Sequence, residues 1–151
     1  MGPFEPKDPL FRARVMASFN RQEVMRTLGV EVASIEPGEI VLRMPYAAAY
    51  TQQHGFIHAG IVATALDSAC GYAAFSLMPK EAAVLTVEFK LNLLAPARGE
   101  EFVFKGWVLK PGRTITVCEG HALASIGNEE KLVATMVGTL MAVFDRPGIS
   151  G

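Results

Sequence analysis

The chain has 151 residues, of which 50% are hydrophobic and 19% are charged, and its formal net charge is −1. This length predicts one domain over residues 1–151, with enough chain to bury a real core. The near-zero net charge predicts no general attraction to nucleic acid or to an anionic membrane. The high apolar fraction indicates that part of the surface is buried against other copies of the chain.

The two cysteines, Cys70 and Cys118, stand in neither a zinc-type nor a CxxC spacing. We therefore expect two reduced, buried thiols and no metal site. The first residues contain no apolar signal core, and no stretch is long and apolar enough to span a bilayer. These patterns predict a cytoplasmic protein without membrane attachment.

The N-terminal half begins with Pro-rich residues 1–8, which we expect to be flexible. Apolar residues from Leu10 to Leu28 then recur at loosely helical spacing, which predicts one helix or two short ones ending before Gly29. Residues 28–46 predict a strand, a turn at 36–39 and a second strand. Residues 47–57 show no clear periodicity and indicate an ordered loop.

Residues 58–78 are apolar nearly all round and contain one charge, Asp67, which predicts a helix enclosed by other elements. Four strand-like segments follow, at 83–97, 100–110, 114–126 and 131–144. The first alternates, with Thr86, Glu88, Lys90 and Asn92 on one face. The last is apolar on both faces, which predicts a central strand covered on both sides.

This order of elements predicts an α+β protein in which an antiparallel sheet wraps around one long central helix, with an extra N-terminal helix. That arrangement is the hotdog fold. The sequence shows no repeat and no domain boundary.

Asp67 is the first candidate for chemistry, because a carboxylate on an apolar helix is costly to bury unless it is paired or functional. Ala59 and Gly60 mark the predicted helix start, where free amides carry the positive end of the dipole and can polarise a carbonyl. Gln52, His54 and His58 surround that start. For either histidine, a structural hydrogen bond competes with acid–base chemistry.

The string from Gln52 to Gly60, followed by Asp67, resembles the signature of hotdog thioesterases of the phenylacetate-pathway and 4-hydroxybenzoyl-CoA group. That signature is Asn or Gln, two residues, Gly, two residues, His-Gly-Gly, and an acid nine residues after the His. Residues 86–97 also resemble the strand that follows the central helix in this family, and the likeness covers residues 28–144. The departure is Ala59, where the family has Gly.

The resemblance implies a hydrolase for acyl-CoA with no separate cofactor. The side chains expected in its pocket, Phe56, Leu66, Cys70 and Tyr72, indicate a small or medium, apolar or aromatic acyl group. The resemblance implies polarisation of the thioester carbonyl by the Ala59 amide, with Gly60 beside it and His58 holding the loop. Asp67 would activate water or attack directly, with Gln52 and Thr86 placing the water. The predicted substrate contacts come from six residues: His54, Gly55, Phe56, Cys70, Arg98 and Arg113. Arg98 and Arg113 lie in turns between the predicted strands and are the candidates to bind the phosphates of CoA.

Helix geometry adds a constraint. From Ala59 to Asp67 is a rise of roughly 12 Å and a rotation of about 80°, so their reactive groups can hardly meet at one carbon. Two antiparallel copies of the helix would bring each Asp67 to the other helix start, and the family builds its sites across such a dimer. The resemblance also implies a dimer of dimers.

Two other functions fit the same residues. A hotdog enoyl-thioester hydratase or dehydratase would use His58 with Asp67 for proton transfer at carbon. A non-catalytic acyl-CoA-binding protein would use the same pocket without turnover.

Overall fold

The computed structural model describes residues 4–151; the start of the segment predicted to be flexible, residues 1–3, lies outside them. Within the rest of that segment, Phe4 packs against the core and Asp8 is buried. Two short helices follow, α1 (Phe11–Phe19) and α2 (Glu23–Leu28). Gly29, at φ +67°, ends α2 in the left-handed conformation that glycine adopts readily.

The strands are β1 (Glu31–Glu36), β2 (Glu39–Pro45), β3 (Ala83–Leu93), β4 (Glu101–Lys110), β5 (Ile115–Ile126) and β6 (Glu129–Val143). They form one antiparallel sheet in the order β1-β2-β4-β5-β6-β3. The loop predicted before the central helix contains one 3₁₀ turn, Ala48–Tyr50.

The central helix, α3 (Ala59–Phe75), packs against one face of this sheet. Gly106 of β4 and Gly120 of β5 are directly opposite each other beneath it. A Cβ on Gly106 would stand 2.5 Å from the Ala69 backbone, so the missing side chain lets helix and sheet backbones touch. The predicted sheet around one buried helix is confirmed; the extra N-terminal element is two short helices.

The closing strand differs from its prediction. β6 is an inner strand, but it is next to the edge strand β3 rather than central. Its outward Val137 is 45% exposed, so only the face toward α3 is covered within one chain. Apolar residues on both faces of β6 are therefore not explained by the core of a single chain.

The N-terminal segment is fastened to the far end of α3 by Arg14. Its guanidinium donates hydrogen bonds to the carbonyl oxygens of Phe75 (3.0 Å), Met78 (2.6 Å) and Pro79 (2.8 Å). Its Nε forms an ion pair with Asp8 Oδ2 at 3.1 Å, without the alignment of a hydrogen bond. Within residues 4–151, no helix is both long and apolar enough to cross a membrane.

Candidate active site

The start of α3 presents one open backbone donor. His58 is the N-cap, and its Nδ1 accepts a hydrogen bond from the Gly60 amide at 2.9 Å. The Gly60 amide is therefore already hydrogen-bonded, and the catalytic role expected for Gly60 stays a prediction. Among residues 4–151, no acceptor is hydrogen-bonded to the Ala59 amide. Ala59 is the first helical residue and has negative φ, so alanine is unstrained where the family has glycine.

Gln52 lies in a tight loop that aims its amide group. Its backbone carbonyl accepts from the Gly55 amide (3.0 Å), and Gly55 has φ +84°, which glycine permits. The side-chain Oε1 of Gln52 accepts from the His54 backbone amide. Because the oxygen is held in this way, the –NH₂ group of Gln52 is left to donate.

Gln52 and Ala59 line the same depression, of about 510 Å³. It is mostly apolar and is formed by Gln52, Phe56, Ile57, Ala59, Val62, residues 93–97, Val133 and Ala134. His54 and Gly55, predicted to contact substrate, are exposed and do not line it. The arrangement offers two N–H donors in an apolar setting, where a developing negative charge on oxygen would be stabilised.

Asp67 is half-buried and has one hydroxyl partner. Thr86 Oγ1 donates to Asp67 Oδ1 at 2.7 Å. Burial raises the pKa of Asp67 above its ordinary value, and the hydrogen bond from Thr86 lowers that pKa in part. A carboxylate with a raised pKa beside a hydroxyl is suited to accept a proton from water.

A β-bulge in β3 brings Thr86 to Asp67. Thr86 is opposite Leu140 of β6, whereas Glu88 is opposite Thr139, so Val87 is an extra residue. Leu140 is buried beneath α3, and Thr86 therefore faces the helix. Glu88 faces outward and accepts a hydrogen bond from the Thr139 hydroxyl. The predicted common face for Thr86 and Glu88 is wrong, because strict alternation takes no account of a bulge.

Asp67 and Thr86 line a different depression, of about 480 Å³. Its other walls are Ser18, Arg21, Gln22, Ser68, Gly71, Tyr72, Phe75, residues 83–85 and residues 148–151. Neither Gln52 nor Ala59 lines it. Within one chain, the donor pair and the acid–hydroxyl pair are thus in separate depressions, with about 12 Å of helix rise between Ala59 and Asp67.

The two predicted phosphate-binding arginines are also in separate places. Arg98 lines a third depression, of about 360 Å³, together with Phe56 and Lys131. Phe56 also lines the Gln52 depression, so these two depressions adjoin. Arg113 lies near Leu77, at the opposite end of α3.

Cys70 is not a surface contact. Its side chain is 1% exposed, and its Sγ would stand 3.0 Å from a Cβ on Gly120. Cys70 is a core thiol in this chain, because it is on the side of α3 that packs on the sheet, and its contact with substrate stays a prediction. Both cysteines are free and buried, as expected.

Sequence reasoning gave no role to Ser18, Arg21 or Gln22, which lie beside Asp67. They belong to α1 and to the turn after it, far from the motif in sequence. No motif or spacing connects them to Asp67, so only the docking of α1 on α3 reveals them.

Known proteins resemble this chain in sequence and structure. The thioesterase superfamily model matches residues 54–131. A crystal structure of a thioesterase family protein from Silicibacter pomeroyi is 59% identical, with a TM-score of 0.88, covering 89% of this chain and 98% of that one. Human acyl-coenzyme A thioesterase 13 is 27% identical over 106 residues, or 69% of this chain and 75% of that protein. The E. coli PaaI protein, from the phenylacetic acid degradation operon, is 19% identical with a TM-score of 0.79, over 88% of this chain and 93% of that one, and supports the fold.

The chain belongs to the thioesterase superfamily. The resemblance seen in the sequence is confirmed, and so is the class of enzyme, a thioester hydrolase.

Proposed function

We propose that this protein is an acyl-CoA thioesterase whose active site is completed by a second copy of the chain. The main support is that the groups needed for the reaction are separated within one chain. The two N–H donors, of Gln52 and Ala59, lie in one depression, and the acid–hydroxyl pair, Asp67 and Thr86, lies in another. Antiparallel pairing of two α3 helices would set the donors of one copy against the acid of the other. The relationship to acyl-coenzyme A thioesterase 13 supports acyl-CoA as substrate.

The surface around Asp67 favours a second copy. β3 is an edge strand, with one side left unpaired within the chain. It also exposes large apolar side chains: Leu85 (42%), Val87 (54%), Phe89 (41%) and Leu93 (55%). A long apolar edge strand is a template for pairing with another strand, and pairing with itself would satisfy both features. Two such dimers would associate further into the predicted dimer of dimers.

In the proposed reaction, the substrate carbonyl oxygen accepts hydrogen bonds from the Ala59 amide and the Gln52 –NH₂ group. Asp67 of the other copy takes a proton from a water molecule that Thr86 helps to place. The water oxygen bonds to the carbonyl carbon, and the electron pair moves onto the carbonyl oxygen. When that pair returns, the C–S bond breaks and CoA leaves as thiolate, which takes the proton from Asp67. The products are a free acid and CoA.

His58 has a positioning role in this proposal. Its Nδ1 accepts a hydrogen bond from the Gly60 amide, and its own backbone amide donates to the Tyr50 carbonyl at 2.9 Å. These bonds fix the start of α3, so the neighbouring Ala59 amide is aimed before substrate arrives. A donor held in place needs no reorganisation during the reaction.

The CoA phosphates would lie in the depression that contains Arg98 and Lys131 and adjoins the donor pair. An arginine suits the geometry of phosphate oxygens. Glu129 and Glu130 line the same depression and offset part of that charge. Arg113 of the second copy is the remaining candidate for CoA, since it lies at the far end of α3 in its own chain.

The test is thiol release from an acyl-CoA panel by wild type, Asp67→Asn and a matched control. The control is Asp145→Asn, at an exposed carboxylate that lines neither depression. We expect kcat to fall about 10²- to 10⁴-fold in Asp67→Asn only. Undiminished turnover in that variant would remove Asp67 from the mechanism. Hydration of an enoyl-CoA without thiol release would instead indicate the hydratase reaction.

Subunit mixing tests the shared site. Asp67→Asn and Ala59→Pro chains are each expected to be inactive, and random mixing makes half of the dimers hybrids. Each hybrid holds one site with no mutation, so activity should recover to roughly a quarter of wild type. No recovery in verified hybrids would show that each chain uses its own Ala59 and Asp67.

A further inference from the structure

The depression beside Asp67 has space that the reaction itself does not use. It follows α3 from Asp67 past Gly71 to Phe75, a rise of about 12 Å. No atom outside the local helix lies within 4 Å of the position that a Cβ on Gly71 would take. Open room therefore begins next to the proposed catalytic carboxylate and leads away from it.

One wall of this room is built from hydrogen-bonding side chains. Ser18 Oγ lies 3.2 Å from the Tyr72 hydroxyl, and Ser68 Oγ donates to Gln22 Oε1 at 3.1 Å. Tyr72 is 4% exposed and Ser68 is 8% exposed. A purely apolar ligand would cover this wall and leave some of its donors without partners, which is costly.

The side chains of this wall have more hydrogen-bond donors than acceptors. Gln22 has two N–H groups, of which one already donates to the Tyr72 hydroxyl and the other is left to donate, while its oxygen is occupied by Ser68. Of the Ser18 and Tyr72 hydroxyls, one donates to the other, and the second still has a hydrogen to donate. Arg21 lines the same depression, donates to the Gly151 carbonyl at 2.8 Å and adds a positive charge. These remaining N–H and O–H groups need acceptors, so a ligand that fits this wall carries an acceptor oxygen.

We propose that this depression holds the acyl group, and that the preferred acyl group carries an oxygen, as a hydroxyl or a carboxylate, distant from the thioester. Gln22 and Tyr72 are the specificity-determining residues for a hydroxyl, and Arg21 adds selectivity for a carboxylate. This inference rests on the proposed function and revises the apolar or aromatic acyl group expected from the sequence. Ser18, Arg21 and Gln22 precede the segment that matches the family model, residues 54–131, and the family signature does not include them.

The test is a panel of matched substrates: hexanoyl-, octanoyl- and decanoyl-CoA, each with its ω-hydroxy and ω-carboxy derivative. For the best chain length, kcat/KM should be roughly tenfold higher for an oxygenated member than for the plain chain. Preference for the hydroxyl should disappear in Gln22→Met and Tyr72→Phe. Preference for the carboxylate should disappear in Arg21→Met.

The matched control is Tyr46→Phe, since Tyr46 is 43% exposed and lines none of these depressions. Gly71→Leu fills the room, and should lower kcat/KM for the longer chains more than for hexanoyl-CoA. Equal or better hydrolysis of plain chains by wild type would overturn this inference and leave the thioesterase standing. So would an unchanged preference in all three wall variants. Absence of thiol release across the panel would overturn the proposed function and this inference with it.

Discussion

The two ends of α3 differ in how their backbone groups are satisfied. At its C-terminal end, the Arg14 guanidinium binds three carbonyl oxygens and lies over the Phe75 ring, 4.2 Å from its centroid. Ser76 adds to this closure, accepting from the Gly38 amide (2.8 Å) and donating to the Ala73 carbonyl (2.7 Å). At its N-terminal end, His58 caps Gly60 and leaves the Ala59 amide open.

In the proposed reaction, this difference separates stability from function along one helix. A helix carries partial negative charge at its C-terminal end and partial positive charge at its N-terminal end. The guanidinium of Arg14 neutralises the first from within the chain. The second is left for a ligand, and a thioester carbonyl that gains negative charge in the transition state is the kind of group it would stabilise.

Of the changes at the two ends of α3, the largest effect is expected from removing the open amide alone, with Ala59→Pro. Proline is well tolerated at the first helical position, and His58 already has ψ 139°, the conformation favoured before proline. The fold should therefore persist while the N–H donor is lost. We expect kcat to fall about 10²- to 10³-fold.

The control for this change is Ala59→Gly, which keeps the amide and should retain activity. Circular dichroism and thermal unfolding would verify that both variants are folded. If folded Ala59→Pro hydrolyses acyl-CoA at the wild-type rate, the open helix end has no part in the reaction.

A substitution at the C-terminal end of α3 should lower the free energy of unfolding and leave kcat unchanged. Arg14→Met removes the hydrogen bonds to three carbonyl groups and leaves the buried Asp8 without its cation. We expect a loss of about 2–4 kcal/mol in the free energy of unfolding, measured by urea denaturation, with kcat retained. Arg12→Met is the matched control, because Arg12 forms an exposed ion pair with Glu36 worth at most about 1 kcal/mol. Equal losses in the two variants would contradict the role given to Arg14.

The cap at the open end should have a smaller effect. His58→Ala deletes the acceptor of the Gly60 amide and should cost about 1 kcal/mol of stability. His58→Asn, which restores a capping oxygen, should recover most of that loss. His54→Ala, at an exposed histidine of the same loop, should leave stability unchanged. A loss of activity in His58→Asn despite restored stability would show that His58 does more than position the helix start.

The smallest expected effect is a displacement of the pH profile by Thr86→Val. Asp67 must be ionised to act as a base, so kcat/KM should fall as the pH drops through its raised pKa. Since the Thr86 hydrogen bond lowers that pKa, its removal should move the acid limb to higher pH. A pH series of kcat/KM for both enzymes measures this, and a shift to lower pH would contradict the assignment.

Stability gives an independent check of the same carboxylate. Because the folded-state pKa of Asp67 lies above its unfolded value, the folded state favours the protonated form. Stability contributed by this group is present at low pH and is lost as the pH rises through the unfolded and then the folded value. At neutral pH, Asp67→Asn should therefore be at least as stable as wild type.

The sequence predicts the central helix, the six strands and the turns between them, because their apolar patterns are long and regular. The site is predicted only in part. The short motif identifies Gln52, Ala59 and Asp67 as candidates. The sequence around it does not indicate that the Gly60 amide donates to His58. The side of α3 on which Cys70 lies is set by packing against Gly106 and Gly120, and helix periodicity alone does not reveal it.

The bulge at Val87 also keeps a second negative charge away from Asp67. In a regular strand, Thr86 and Glu88 would share a face, and a second carboxylate would stand beside Asp67. The extra residue instead puts Glu88 on the opposite face of the sheet, held by Thr139, and Glu88 is not among the groups that shift the Asp67 pKa. One inserted residue thus keeps a competing negative charge a full sheet thickness from Asp67, which can then be tuned by burial and one hydroxyl alone.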